Sequence, residues 1–201
     1  MGLLSYLSDP AVFLVAFLLS ALGLLLHNLA QAWLADRYGD SGPRRFGFLT
    51  LDLRVHLEPL GLLLLLLLGF GWPRPVPYRL FGGKEAQVAL MGPLGFLLSA
   101  FLYGLLARLL PYPFGEGALV AQNLMLLHGA IYLFPVPPLD GARVVYALGS
   151  REARAFLDRL AAYGPLGFIV IFLILSYTGV TGAVVAGLAG LLGYLYRAMG
   201  F

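Results

Sequence analysis

The sequence predicts an all-α polytopic membrane protein, with about five transmembrane helices, a short re-entrant or interfacial segment and a small β-structure at the cytoplasmic face. Three observations carry that class. Of 201 residues, 60% are hydrophobic and 11% charged, against about a quarter charged in an average soluble domain. The mean hydropathy of +0.87 is higher than a soluble surface of this size tolerates. Apolar runs long enough to cross a bilayer recur along the chain. One membrane domain, residues 1–201, accounts for the length.

The first span is expected over Ala11–Ala35, too long for a signal-peptide core and with no basic segment before it. Ala86–Leu110 makes a second, and Ala118–Pro135 is nearly long enough for a third. Gly164–Ala198 exceeds one span and divides at the turn-like Ser176-Tyr177-Thr178-Gly179 into two short helices. Pro59–Gly71 holds only about 13 apolar residues, about 20 Å as helix, which is short of a hydrocarbon core of about 30 Å. Asp40-Ser41-Gly42-Pro43 signals a turn. Thr50–His56 alternates polar and apolar residues with period two, which predicts a short surface strand, paired with Tyr78–Phe81. Arg151–Leu160 reads as an amphipathic helix lying in the interface.

Charge placement orients these elements. If Pro59–Gly71 enters and returns, segments 37–58, 72–85 and 136–163 share one face. That face then holds Arg37, Arg44, Arg45, Arg54, Arg74, Arg79, Lys84, Arg143, Arg151, Arg154 and Arg159, eleven of the thirteen basic residues. The positive-inside rule makes it cytoplasmic, with the amino terminus and Tyr112–Glu116 outside and Arg197 returned to the inside. The net charge of +3 is too small and too scattered for nucleic-acid binding. With no cysteine, disulfides, thiolate metal sites and cysteine nucleophiles are all excluded.

Polar residues inside spans are costly and therefore informative. Ser20, Gly23, His27 and Gln31 form one stripe at helical spacing, with Asn28 beside it. Interhelical hydrogen bonding is the plain account of such a stripe, and a wet functional cavity is the other. His128 and Tyr132 lie four apart on one face of the third span, and Asp140 follows the proline-rich Pro135-Val136-Pro137-Pro138-Leu139. Gly182, Ala186 and Gly190 repeat at four-residue spacing. Such small residues suit close packing, within the chain or in a homodimer.

Taken in order, these segments resemble the site-2 protease family of intramembrane zinc metalloproteases, in particular its compact prokaryotic members. His27-Asn28-Leu29-Ala30-Gln31 stands where the family has HExxH. His56-Leu57-Glu58-Pro59-Leu60-Gly61 is similar to its H-x-D-P-x-G segment, and Gly71-Trp72-Pro73-Arg74-Pro75-Val76-Pro77 to its GWxKPVP. Gly92-Pro93 resembles the AGPxxN helix, and Pro135–Gly141 the NxxPxPPLDG motif that supplies the third metal ligand. The resemblance implies a zinc held by two histidines and an aspartate, with a glutamate as general base.

The departures fall on that chemistry. The glutamate position is Asn28, which cannot act as general base, and the second histidine position is Gln31. The two motif asparagines fall at Phe96 and Tyr132, and Gly141-Ala142 replaces a glycine pair. His27 and Asp140 remain as remnants of the metal triad, with His128 or His56 as candidate substitutes. Asn28, Gln31, Phe96, His128 and Tyr132 are the expected pocket residues. No intact catalytic set is expected. The resemblance therefore implies a pseudoprotease in a prokaryotic cell membrane, without cofactor, that binds or regulates a transmembrane protein segment. An active metalloprotease with an altered zinc site is the alternative. A small carrier or assembly factor is a third reading.

Overall fold

The computed structural model describes residues 2–201, with the side chains of Pro165 and Leu166 left aside. In chain order its helices are α1 (Pro10–Arg37), α2 (Gly42–Arg45), α3 (Leu53–His56), α4 (Pro59–Leu68) and α5 (Gly82–Leu109). There follow α6 (Phe114–Tyr132), α7 (Asp140–Leu148), α8 (Arg151–Ala162), α9 (Gly164–Tyr177) and α10 (Val180–Ala198). The all-α membrane class is thus as expected.

Three of these are long and apolar enough to cross a membrane, namely α1, α5 and α10, or four if the bent pair after Arg151 counts as one. That count is lower than the five expected. The α6 helix has the length but carries Gln122, Asn123 and His128 within 19 residues, and it is packed largely inside the protein. The α9 helix has only 14 residues. At about 1.5 Å per residue that reaches about 21 Å.

The α1, α5 and α6 helices pack most extensively on one another and form the core. Asp9 caps α1 by accepting from the Val12 amide at 3.1 Å, with Pro10 at the first helical position. The Tyr112 hydroxyl donates to Asp9, so the start of α1 and the turn after α5 share one end. At the other end Arg44 grips Asp36 at 2.6 Å, Asp40 accepts from the Gly42 and Arg79 amides, and the Lys84 ammonium lies over the Tyr38 ring.

The α4 arm doubles back on itself. Leu57 and Pro73 form an antiparallel bridge, the Arg74 amide donates to the His56 carbonyl at 2.7 Å, and the Arg74 Nε donates to the Leu57 carbonyl at 2.9 Å. Both ends of the apolar run therefore meet. The return is tight enough that a Cβ on Gly61 would strike the Trp72 backbone.

Two expectations are corrected. No strand forms among the described residues, and Thr50–His56 makes a bend and the one-turn α3 instead. Asp52 accepts from the Arg54 amide at 3.0 Å and pairs with its guanidinium, which starts that turn. Leu51 and Leu53 are exposed, so the alternation does not mark a buried face. Arg197 also lies elsewhere. The neighbouring Tyr196 hydroxyl donates to the Phe101 carbonyl at 2.9 Å, and Arg108 covers its ring. The end of α10 thus sits beside the last turns of α5, away from the basic loops.

With both ends of α4 side by side, single cysteines at Ser41 and Gly83 are expected to react with an impermeant thiol reagent from the same side of the membrane, and one at Tyr112 from the other. Labelling of Ser41 and Gly83 from opposite sides would overturn this arrangement.

Candidate functional site

A cavity of about 680 Å³ opens between α1, the return arm, the end of α6 and the start of α7. His27, Asn28, Gln31 and Asp140 contribute to its polar lining, together with Glu58, Arg74 and Arg143, and Phe70, Trp72, Val76, Leu139 and Phe168 supply much of the rest. Helical spacing brings the first three to one side of α1, while the proline-rich turn delivers Asp140 as the first residue of α7.

The hydrogen bonds fix how each side chain is used. The Asn28 amide nitrogen donates to the carbonyls of Arg74 at 2.9 Å and His56 at 3.3 Å. Its Oδ1 therefore faces His27 Nδ1, at 3.1 Å, and accepts the proton there. The other ring nitrogen, Nε2, lies 2.7 Å from Asp140 Oδ2, with a proton between them. His27 and Asp140 are thus joined directly, side chain to side chain. The Gln31 amide nitrogen donates to the Ala89 carbonyl at 3.3 Å. Phe96 packs on the His27 ring at 4.5 Å between centroids, and Tyr132 meets it edge-on at 5.0 Å.

These atoms still converge. A Cβ on Gly92 would run into His27 Nε2, Asp140 Oδ2 and Gln31 Nε2 together, so glycine lets α5 pass beneath the point where they meet. The donor set nevertheless does not fit zinc. Two ligands each about 2.0–2.1 Å from a tetrahedral ion stand roughly 3.3 Å apart, whereas His27 and Asp140 are closed to hydrogen-bond distance. Gln31 turns its NH₂ group inward, a donor without a metal-binding lone pair. Among the described residues no three His, Cys, Asp or Glu side chains gather as a metal site.

The candidate substitutes are engaged elsewhere, and neither lines the cavity. His128 Nδ1 donates to the Leu124 carbonyl at 2.7 Å, and its Nε2 accepts from the Gly71 amide at 3.1 Å. Both nitrogens are in use, which makes His128 a clip between α6 and the return arm. His56 donates from Nε2 to the Thr50 carbonyl at 2.8 Å, and its Nδ1 is buried without a partner. Of the expected pocket residues, Asn28, Gln31 and Tyr132 line the cavity, while Phe96 and His128 stand behind it.

Sequence reasoning missed Arg143, whose guanidinium lies 4.1 Å over the Tyr78 ring, and the cavity-lining Arg74 and Phe168. The available signal was spacing, since Arg143 falls one turn beyond Asp140 on α7.

Curated relatives share most of the chain. It is 34% identical over 164 residues to "Putative zinc metalloprotease YwhC" of Bacillus subtilis (strain 168), covering 73% of this chain and 74% of that one. Two proteins named "Putative zinc metalloprotease Rip2" also match. The one from Mycolicibacterium smegmatis is 29% identical over 84% of this chain and 69% of its own length. The one from Mycobacterium tuberculosis (strain H37Rv) is 28% identical over 95% and 79%. No protein-family model and no solved structure matches.

Two outcomes follow from the geometry. Asn28→Glu would replace two amide donors with acceptors facing the His56 and Arg74 carbonyls. It is expected to cost about 1–3 kcal/mol, read as a lowered thermal midpoint in detergent, while Asn28→Gln costs less. Burial holds the His56 imidazole below the usual histidine range, only partly offset by the Thr50 carbonyl. Below about pH 6.5 the unfolded chain takes up a proton that the folded chain refuses. Stability present above that pH is therefore expected to fall as pH drops toward the depressed folded value. Melting scans between pH 7.5 and 5.5 check this, and His56→Gln should flatten the profile.

Proposed function

We propose that this chain, which belongs to the site-2 protease family, is a pseudoprotease of that family, acting at the membrane by binding rather than by peptide hydrolysis. The observation that carries this reading is the direct 2.7 Å contact of His27 with Asp140. Hydrolysis of this type needs an ion, a water on it and a base to take that water's proton. Here the ion's ligands bond to each other, and Asn28 at the base position is an amide already engaged with two backbone carbonyls.

A membrane partner remains the proposed client, in a prokaryotic cell membrane, with the amino terminus outside and the basic loops inside. Thr50–His56 offers no strand edge for such a partner, because that segment is not extended. The cavity is the feature left to take a ligand from the membrane. A homodimer is a further proposal. Added Cβ atoms at Gly182 and Gly190 meet nothing within 4 Å, so that face of α10 is open to a second copy.

The second reading, an active enzyme with an altered zinc site, is favoured by the convergence of His27, Gln31 and Asp140 on Gly92 and by the relatives' names. Elemental analysis separates the two. Protein purified without added metal is expected to hold well under one equivalent of zinc, and its melting midpoint should not change with chelator. Stoichiometric zinc that is lost in His27→Ala and Asp140→Ala would overturn the pseudoprotease reading.

A further inference from the structure

We infer that the cavity binds an anionic amphiphile, with its apolar chain among the aromatic walls and its charged head on Arg74 and Arg143. The inference rests on the reading that the site does not hydrolyse peptides, and it names the ligand class of that same site.

The size suits a small ligand, since about 680 Å³ lies within the roughly 300–1,000 Å³ usual for such sites. The lining is poorly made for an unwound peptide. Each peptide unit placed in a dry site needs partners for its N–H and C=O, and leaving them unpaired costs several kcal/mol. Pro73 and Pro75 on the wall carry no N–H, and the Arg74 N–H is already bonded to the His56 carbonyl. The lining side chains of α1 mostly bond to other parts of the site, His27 with Asp140, Asn28 with two carbonyls and Gln31 with Ala89. The buried polar side-chain atoms without a partner belong to Ser20, His56, Tyr78, Gln122 and Thr181, none of which lines the cavity. An apolar chain makes no such demand.

The charges then choose the head group. Arg74 and Arg143 both line the cavity, and neither forms an ion pair among the described residues. Arg74 uses Nε on the Leu57 carbonyl, which leaves its terminal nitrogens available. Arg143 rests on the Tyr78 ring, a contact that holds the guanidinium in place without neutralising it. The two carboxylates on the lining are both engaged, Asp140 with His27 at 2.7 Å and Glu58 with the Gly61 amide at 2.6 Å at the start of α4. The charged groups left free to meet a ligand are therefore the two guanidiniums. Arginine's planar fork matches phosphate and carboxylate alike, so a phospholipid and a free fatty acid share the required chemistry.

The test uses the full chain in detergent, with Trp33→Phe leaving Trp72 on the cavity wall as the sole tryptophan. Phosphatidylglycerol, phosphatidylcholine and a free fatty acid, each with a brominated acyl chain, are titrated while Trp72 emission is followed. Saturable quenching by phosphatidylglycerol or by the fatty acid, about tenfold tighter than by phosphatidylcholine, is expected. Whichever of the two quenches at lower concentration identifies the source of the anionic head. Arg143→Gln should weaken the preference with the melting midpoint unchanged, and adding Arg74→Gln should remove it, at some cost in stability because Arg74 also bonds the Leu57 carbonyl. The lipid comparison on the unsubstituted arginines needs neither variant to fold. Quenching that fails to saturate, or that is equal for the anionic and zwitterionic lipids, would overturn the inference. Zinc content and peptide cleavage are read separately, so loss of this inference leaves the pseudoprotease reading standing, and failure of that reading shows in those readouts rather than in the quenching.

Discussion

The His27–Asp140 hydrogen bond is the constraint around which the cavity is organised. It joins residues 113 apart in sequence, tying the middle of α1 to the first turn of α7. Asn28 adds the third segment by holding the carbonyls on either side of the 57–73 bridge. Three segments that diverge elsewhere are thus fixed relative to one another at two adjacent side chains. In an apolar setting such a cluster stabilises only when complete. Removing one partner of a buried pair typically costs about 3–5 kcal/mol, because the survivor is left buried and unsatisfied.

The aromatic residues complete that logic. Phe96 and Tyr132 stand where the family motifs carry asparagine, and both rings pack against the His27 imidazole. Side chains that would present hydrogen-bonding groups to the site are replaced by ones that bury area and ask for little. His128 follows the same rule. It is fully buried, but Leu124 and Gly71 satisfy both nitrogens while Phe70 stacks on its face at 5.0 Å. His27, Asn28, Gln31, His128 and Asp140 are each paired with a local partner, which leaves the cavity lining mostly apolar.

Much of this was legible in the sequence, for identifiable reasons. Long apolar helices announce themselves by composition, and the ordered motifs placed His27, Asn28, Gln31 and Asp140 in one site. The short Pro59–Gly71 run signalled by its length alone an arm whose ends meet. Thr50–His56 misled because period two reports a strand only when one face is buried, and here Leu51 and Leu53 are both exposed. A single Asp52 cap was enough to start a helical turn. The partners of His128 were hidden because they are backbone atoms, the Leu124 carbonyl and the Gly71 amide, which no side-chain pattern reveals. The Gly182–Ala186–Gly190 repeat showed that close packing is possible but not with what, and in this fold the face they form points away from the chain's own helices.

The direct contact of His27 with Asp140 also bears on how a cavity of this shape persists. A zinc ion would hold its ligands roughly 3.3 Å apart and attract them through itself, so the fold around it would depend on metal supply and pH. A direct hydrogen bond draws His27 and Asp140 closer and needs no ion, with Asn28 orienting the imidazole for it. The same three segments are then held by protein atoms alone. On the cavity lining the carboxylates of Asp140 and Glu58 are each bonded to protein partners, while the guanidiniums of Arg74 and Arg143 stand outside any ion pair among the described residues, so the charged groups free to meet a ligand are the two arginines.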